Sequence, residues 1–440
     1  MLGDFYCSHK RIYPGVHING AAVGGLTKDE AADLLGQTAE EYKDKKIAIL
    51  LPEGEELIYS LHELGIELDT GLLLEKAYQE ARSGHCWNNF YARYRLWKEK
   101  TDIPLSFKFN TQALNEIFLR INKAIYQKAK DAYFIVLEDS VEIAAEKNGR
   151  MLDFKATREA ILKSLPPTGE KTLIAAVIKE IRPPVTKDKL LELGINSLMA
   201  SFETSYNPAQ TGRAHNIALS AASLNETIIL HGEEFSFLEN IGEISHESGY
   251  QSAPIIVNNK IVDGVGGGVC QTSSTLYNAA LLANLEISER HNHSLRVAYL
   301  PAGLDATVTQ NGPDLKFINN REHALLLTAV AENGRLEIKI FGQKMKERVQ
   351  ISTKIVKEYA LPAKYIVDPQ LKPGEKVTVQ NGIKGYEVSV WRNVFLNGEH
   401  LRSENISYDR YRAVPAVYRI AREETVNQQA EHVREAAAAN

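Results

Sequence analysis

The stretch Gly264-Val265-Gly266-Gly267-Gly268-Val269-Cys270-Gln271-Thr272-Ser273-Ser274-Thr275-Leu276-Tyr277 sets a glycine-rich turn directly before a cysteine and a helix-forming run over 276–285. The thiol is therefore expected at a helix N-terminus. Unpaired backbone N–H groups and about half a positive charge there stabilise a thiolate and lower its pKa. Downstream, Glu289-Arg290-His291-Asn292-His293-Ser294 is the densest histidine cluster in the chain. A thiol with a neighbouring imidazole is the smallest set of groups that makes a nucleophilic cysteine.

A working thiol also needs a group to orient its base and donors for an oxyanion. The chain offers Cys270 as nucleophile, His291 or His293 as base, and Asp305 or Asn292 as orienter. Backbone N–H groups at the helix start, with Gln271, supply the oxyanion donors. Gln271, Ser274, Tyr277, Arg290 and Arg213 are the candidate binding residues, and His246 is a further histidine in the same region. Each has a plainer reading. Cys270 can be a small residue packed at a tight turn, with the glycines there only for close backbone approach. His291 and His293 can be same-face residues of a strand bonding a loop. Arg213 can bind an anion at the start of the following helix, or simply lie in a polar cap. Cys270 with two histidines is an incomplete zinc set, so neither metal nor cofactor is assigned.

At 440 residues, 44% hydrophobic and 24% charged, the chain is long enough for several soluble domains. Its net charge of −5, with no long basic run, argues against nucleic acid as a partner. Cys7, Cys86 and Cys270 are too few and too scattered for a disulfide framework or a C-x-x-C metal site, although a Cys7–Cys86 pair would leave Cys270 free. No window approaches a membrane span, and residues 1–12 lack the apolar core of a signal peptide.

The expected fold is α+β and multidomain. An internal repeat marks the N-terminal part: Gly65-Ile66-Glu67-Leu68-Asp69 and Gly149-Arg150-Met151-Leu152-Asp153 share G-x-x-L-D, 84 residues apart, each followed by a helical pattern. Strand-like runs precede both, over 46–51 with 56–60 and over 132–137 with 141–145. Two small α/β repeats are the reading, 1–100 and 101–195. Asp69 and Asp153 read as helix N-caps rather than ligand carboxylates, and Thr27 with Glu30 reads as a capping box. The run Trp87, Phe90, Tyr91, Tyr94, Trp97 lies on one helical face, expected to pack on its own domain rather than to stack on sugars. A central mixed α+β domain spans 196–343, with a hairpin at Asn333-Gly334. An elongated all-β module spans 344–422, with a hairpin at Asn397-Gly398, and a polar tail follows at 423–440.

Together, Gly266-Gly267-Gly268-Val269-Cys270-Gln271, Ser274-Thr275-Leu276-Tyr277-Asn278-Ala279, Glu289-Arg290-His291-Asn292-His293-Ser294 and Asp305-Ala306-Thr307-Val308 resemble the signature of VanW-family proteins, and Phe235-Ser236-Phe237 and Gly249-Tyr250 agree with it. The paired N-terminal units are similar to the peptidoglycan-binding repeats that precede VanW domains, and residues 20–31 resemble their opening motif. Asp368-Pro369-Gln370-Leu371-Lys372-Pro373-Gly374-Glu375 and Gly382-Ile383-Lys384-Gly385-Tyr386 look like a five-glycine (G-five) domain. The resemblance implies an extracytoplasmic bacterial cell-envelope protein. Its flanking modules would bind peptidoglycan or another N-acetylglucosamine-containing polymer, in a role tied to cell-wall maintenance or glycopeptide resistance. It supplies no reaction. The alternatives are a cysteine-dependent peptidoglycan amide hydrolase or transpeptidase with Cys270 as nucleophile, and a non-catalytic surface scaffold. Relatives usually carry an N-terminal membrane helix, so contact with the membrane is expected only through an anchor that this chain does not contain.

Overall fold

The structure is a computed structural model, described here for residues 10–82, 86–166, 171–257 and 260–421. Cys7 and the polar tail lie outside the described residues. The chain divides into two compact units, residues 1–131 with 146–184, and residues 132–145 with 185–440. No helix among the described residues is long and apolar enough to cross a membrane.

The first unit begins with local signals that work as the chemistry of helix ends requires. Helix Lys28–Lys43 starts in a capping box in which the Thr27 hydroxyl accepts from the Glu30 N–H and the Glu30 carboxylate accepts from the Thr27 N–H. Asp69 and Asp153 cap helices Thr70–Gln79 and Phe154–Lys163 by accepting from the N–H groups of Leu72 and Ala156. The sheets ignore the boundary expected at residue 100. Strand Lys46–Leu50 pairs in parallel with Lys171–Ala175, Val16–Ile18 pairs in parallel with Thr101–Ile103, and Ile66–Leu68 pairs with Phe107–Phe109. The reason is burial. Ile47 and Ile49 need a complete apolar cover, and they find it on Leu114, Phe118, Ile121, Leu152 and Ile161 from the later half.

The aromatic helix Cys86–Glu99 differs from expectation. Phe90, Tyr91, Tyr94 and Trp97 are exposed, and it is Leu96, on the other side, that enters the core.

In the second unit, hairpin Tyr133–Val136 and Val141–Ala144 packs through Phe134 and Val141 against Leu193, Ile195, Leu198 and Phe341. This hairpin corresponds in sequence to the one at 46–60 but is built into the central domain. That domain is a four-stranded antiparallel sheet, ordered Ser197–Ser205, Arg335–Gly342, Leu325–Glu332, Thr227–Ile229. Helices Thr211–Leu224 and Val269–Leu282 pack on it. The last two long strands turn at Asn333-Gly334, where φ of 52° and 82° give the type I′ geometry that the dipeptide favours.

The C-terminal module is all β. Strands Glu347–Tyr359, Gly385–Leu396 and Glu399–Tyr411 form one antiparallel sheet, whose second hairpin turns at Asn397-Gly398 with φ of 53° and 89°. A second sheet joins Ala363–Val367, Ala416–Ile420 and Lys376–Gln380. The long sheet is fastened to the central domain: the Arg392 guanidinium donates to the Leu285 carbonyl at 2.6 Å, and Arg321 pairs with Glu347 at 2.7 Å.

Candidate functional site

Helix Val269–Leu282 starts at Gly268, whose φ of 115° is closed to most side chains, and no side chain caps it. At Gly267 a Cβ would lie 2.7 Å from the Ala253 and Pro254 carbonyl oxygens, so the glycines let the turn nest against strand Ser252–Val257. Cys270 is the second residue of the helix. Its N–H has no hydrogen-bond partner among the described residues, whereas those of Val269 and Gln271 bond the carbonyls of Gly266 and Gly268. An unpaired N–H at a helix start can donate to an anion.

The polar residues 271–275 after the cysteine are buried, and each side chain is hydrogen-bonded. The Ser274 and Thr275 hydroxyls bond back to the carbonyls of Cys270 and Gln271, and Asn278 bonds back to that of Ser274. The same face also grips the segment around residue 305. Ser273 donates to the Ala306 carbonyl at 2.7 Å, Ser274 accepts from the Ala306 N–H at 2.9 Å, and Asn278 donates to the Leu304 carbonyl at 2.7 Å. The helix that carries the thiol thereby fixes the loop that carries Asp305.

Asp305 is completely buried. Its Oδ2 accepts from both the backbone N–H and the Nδ1 of His293, each at 2.7 Å, which leaves the other ring nitrogen for the cleft side. Its Oδ1 accepts from the Tyr411 hydroxyl. Arg290 donates to the Asp305 carbonyl at 2.6 Å, lies 3.6 Å from the carboxylate, and pairs with both oxygens of Asp409 at 2.7 Å. Asp409 and Tyr411 both come from the C-terminal module, so a strand more than a hundred residues downstream closes the support around His293.

Burial opposes charge on all three central groups, and their mutual contacts overcome it. It pushes the Cys270 thiol up, but the hydrogen bond and charge of His293 bring it below its ordinary value. It works against the His293 imidazolium, which the Asp305 carboxylate and the sulfur nonetheless hold up to a pKa of about 9. It also raises Asp305, and the His293 hydrogen bond and charge, with Arg290, bring that carboxyl below its usual range. Cys270 and His293 thus titrate as a coupled pair backed by a buried carboxylate, with the Cys270 Sγ also 3.3 Å from the Val308 carbonyl oxygen. Cys270 and His293 line one cleft of about 310 Å³ with Arg213, the three glycines, Tyr299 and Thr307.

The structure does not bring every expected residue to this cleft. The His291 ring is exposed and lies 3.5 Å from Glu289, because the strand stops at Glu289 and the two histidines do not share a face. Asn292 donates to the His293 and Arg410 carbonyls instead of orienting the ring. His246 bonds the Tyr250 carbonyl. Ser274 and Tyr277 are buried in the helix packing, and Arg290 is buried behind Asp305, so none of the three lines the cleft. The Gln271 amide nitrogen is spent on Thr204 and Ser205, and its oxygen accepts from Arg213. Tyr299, Asp409 and Tyr411 carry no distinguishing pattern in the sequence and emerge only from the packing.

Residues 212–341 match the family model described as VanW like protein.

The central domain is thus similar to VanW proteins.

Residues 59–173 match the model for a peptidoglycan binding domain, and residues 346–421 match the G5 domain. An uncharacterised protein of Bacillus subtilis, YoaR, is 38% identical over 162 residues, covering 37% of this chain and 53% of that protein. The vancomycin B-type resistance protein VanW of Enterococcus faecalis is 27% identical over 143 residues, covering 31% and 52%. The chain thus spans about half the length of the curated relatives it matches. The solved G5 domain of an IgA1 protease is 18% identical, with a TM-score of 0.14, over 18% of this chain and 93% of that one. The matched domains mark a cell-wall-associated protein.

Proposed function

We propose that the VanW-like domain is a cysteine acyltransferase acting on an amide of the peptidoglycan stem peptide, held at its substrate by the flanking modules. One observation carries the reading: the His293 ring, clamped through Nδ1 to buried Asp305, lines the same open cleft as Cys270. The thiolate attacks the amide carbonyl, and the Cys270 N–H receives the developing oxyanion. The imidazolium then gives its proton to the departing amine, leaving a thioester on Cys270 and a neutral ring. That ring takes a proton from water, for hydrolysis, or from an acceptor amine, for transpeptidation, as the second nucleophile attacks the thioester and the thiolate is restored.

Intact-protein mass spectrometry after incubation with purified muropeptides tests it. A mass increase matching an acyl fragment, located to the Cys270 peptide and absent in Cys270→Ala, is expected. No adduct and no change in the muropeptide profile over long incubation would refute catalysis. Co-sedimentation of the full chain with insoluble peptidoglycan tests the binding half of the reading separately.

A further inference from the structure

Arg213 sits in the first turn of helix Thr211–Leu224 and lines the cleft beside Cys270. Its partners are neutral. One terminal nitrogen donates to the Gln271 side-chain oxygen at 2.6 Å, and the guanidinium lies 5.8 Å from the centre of the Tyr299 ring. Gln271 cannot turn away, because its amide nitrogen is bonded at 3.0 Å to both the Thr204 hydroxyl and the Ser205 carbonyl. Among the described residues no carboxylate pairs with Arg213, and no aspartate or glutamate lines the cleft. Thr307 lines it too, with a buried hydroxyl that has no partner among the described residues.

A guanidinium fixed by a rigid amide, half-buried and facing a cavity without a counter-charge, is arranged for a ligand that brings the charge. We propose that Arg213 binds a carboxylate of the acyl donor, so that the substrate carries a negative charge close to the bond that Cys270 attacks. The inference rests on the cysteine-nucleophile reading above and names its substrate class. The partners of Cys270 are His293 and the Val308 carbonyl, which leaves the planar fork of Arg213 for an anion brought by the ligand.

The test compares alkylation of Cys270 in the full chain by iodoacetate, an anion, and by iodoacetamide, its neutral analogue. It is followed on the Cys270 peptide, because the chain also contains Cys7 and Cys86. Arg213→Gln is expected to slow iodoacetate roughly three- to tenfold at low ionic strength while leaving the iodoacetamide rate unchanged. Arg213→Lys is expected to keep most of the preference. Should the glutamine variant not fold, as judged by circular dichroism, Arg213→Met makes the same charge deletion. A ratio equal to that of the wild type, or a parallel fall in both rates, overturns the proposal. Alkylation requires no acyl transfer, so a chain that forms no muropeptide adduct but shows the charge preference would refute the reaction and keep the anion site. A chain that is acylated without the preference would do the reverse.

Discussion

Replacing Asp305 by Asn tests the ion pair most directly. The amide keeps the shape and an acceptor for the two His293 donors but removes the charge behind the ring. A shift of the ring from 6.5 to about 9 corresponds, at about 1.4 kcal/mol per pH unit, to about 3 kcal/mol in favour of imidazolium, net of burial. The hydrogen bond and charge of Asp305 and those of Cys270 supply this between them. If half belongs to the carboxylate, about 1.5 kcal/mol is lost. The balance between thiolate–imidazolium and thiol–imidazole then moves about tenfold toward the neutral pair. Direct repulsion between Asp305 and the thiolate works the other way, but it is the weakest of the principal influences on the sulfur. The assay is the pH dependence of iodoacetamide alkylation at Cys270. The wild type is expected to react at lower pH than an ordinary thiol, because His293 lowers the pKa of Cys270. The variant is expected to be about tenfold slower at pH 6–7, with its reactive limb moved up by about one pH unit. Superimposable profiles in a folded variant would show that the carboxylate does not sustain the pair.

Four further outcomes follow from the same structure. Tyr411→Phe removes the donor to Asp305 Oδ1 and the acceptor of the Gly303 N–H; a loss of about 1–3 kcal/mol in denaturant unfolding is expected, with slower alkylation of Cys270, and unchanged alkylation would mean that the C-terminal strand merely packs nearby. Glu347 is held down to a pKa of about 2: burial raises it, and the hydrogen bonds of Arg321 and Asn284 more than compensate. A carboxyl lowered on folding contributes stability above its unfolded value of about 4.5 that is lost as pH falls through about 2, so Glu347→Gln should cost about 2–3 kcal/mol at pH 7 and flatten acid destabilisation in that window; an acid transition like that of the wild type would contradict it. Asp69→Ala and Asp153→Ala should each cost about 1 kcal/mol in thermal unfolding as lost caps and leave co-sedimentation with peptidoglycan unchanged; weakened sedimentation in a stable variant would reassign them as ligand groups. His291→Ala should leave the Cys270 alkylation profile in place, since its ring faces Glu289, whereas a lost reactive limb would point to the other histidine as the base.

Local chemistry was legible without any coordinates. A glycine turn before a helix-forming run puts Cys270 at a helix start, Thr27 with Glu30 makes a capping box, Asp69 and Asp153 cap helices, and Asn-Gly dipeptides turn two hairpins. Each of these is settled by groups within a few residues of one another. The ordered blocks around Cys270 likewise carry the family resemblance, because they are contiguous strings. The pairing of strands such as Lys46–Leu50 with Lys171–Ala175 was hidden, since it is decided by which distant apolar face completes the burial.

Alternation in His-x-His could not say which ring turns inward, because the strand that would impose a period of two ends at Glu289. Tertiary structure alone places His293 on Asp305, buries Ser274 and Tyr277 outside the lining of the cleft, and leaves Phe90, Tyr91, Tyr94 and Trp97 in solvent. It also brings Tyr411 and Asp409 behind the site from a module that the sequence reads as separate. The thiol's position is a property of a short segment. Its pKa is lowered by His293, whose ring is held on a buried carboxylate that Arg290 and Tyr411 reach only when the central domain and the long C-terminal sheet meet.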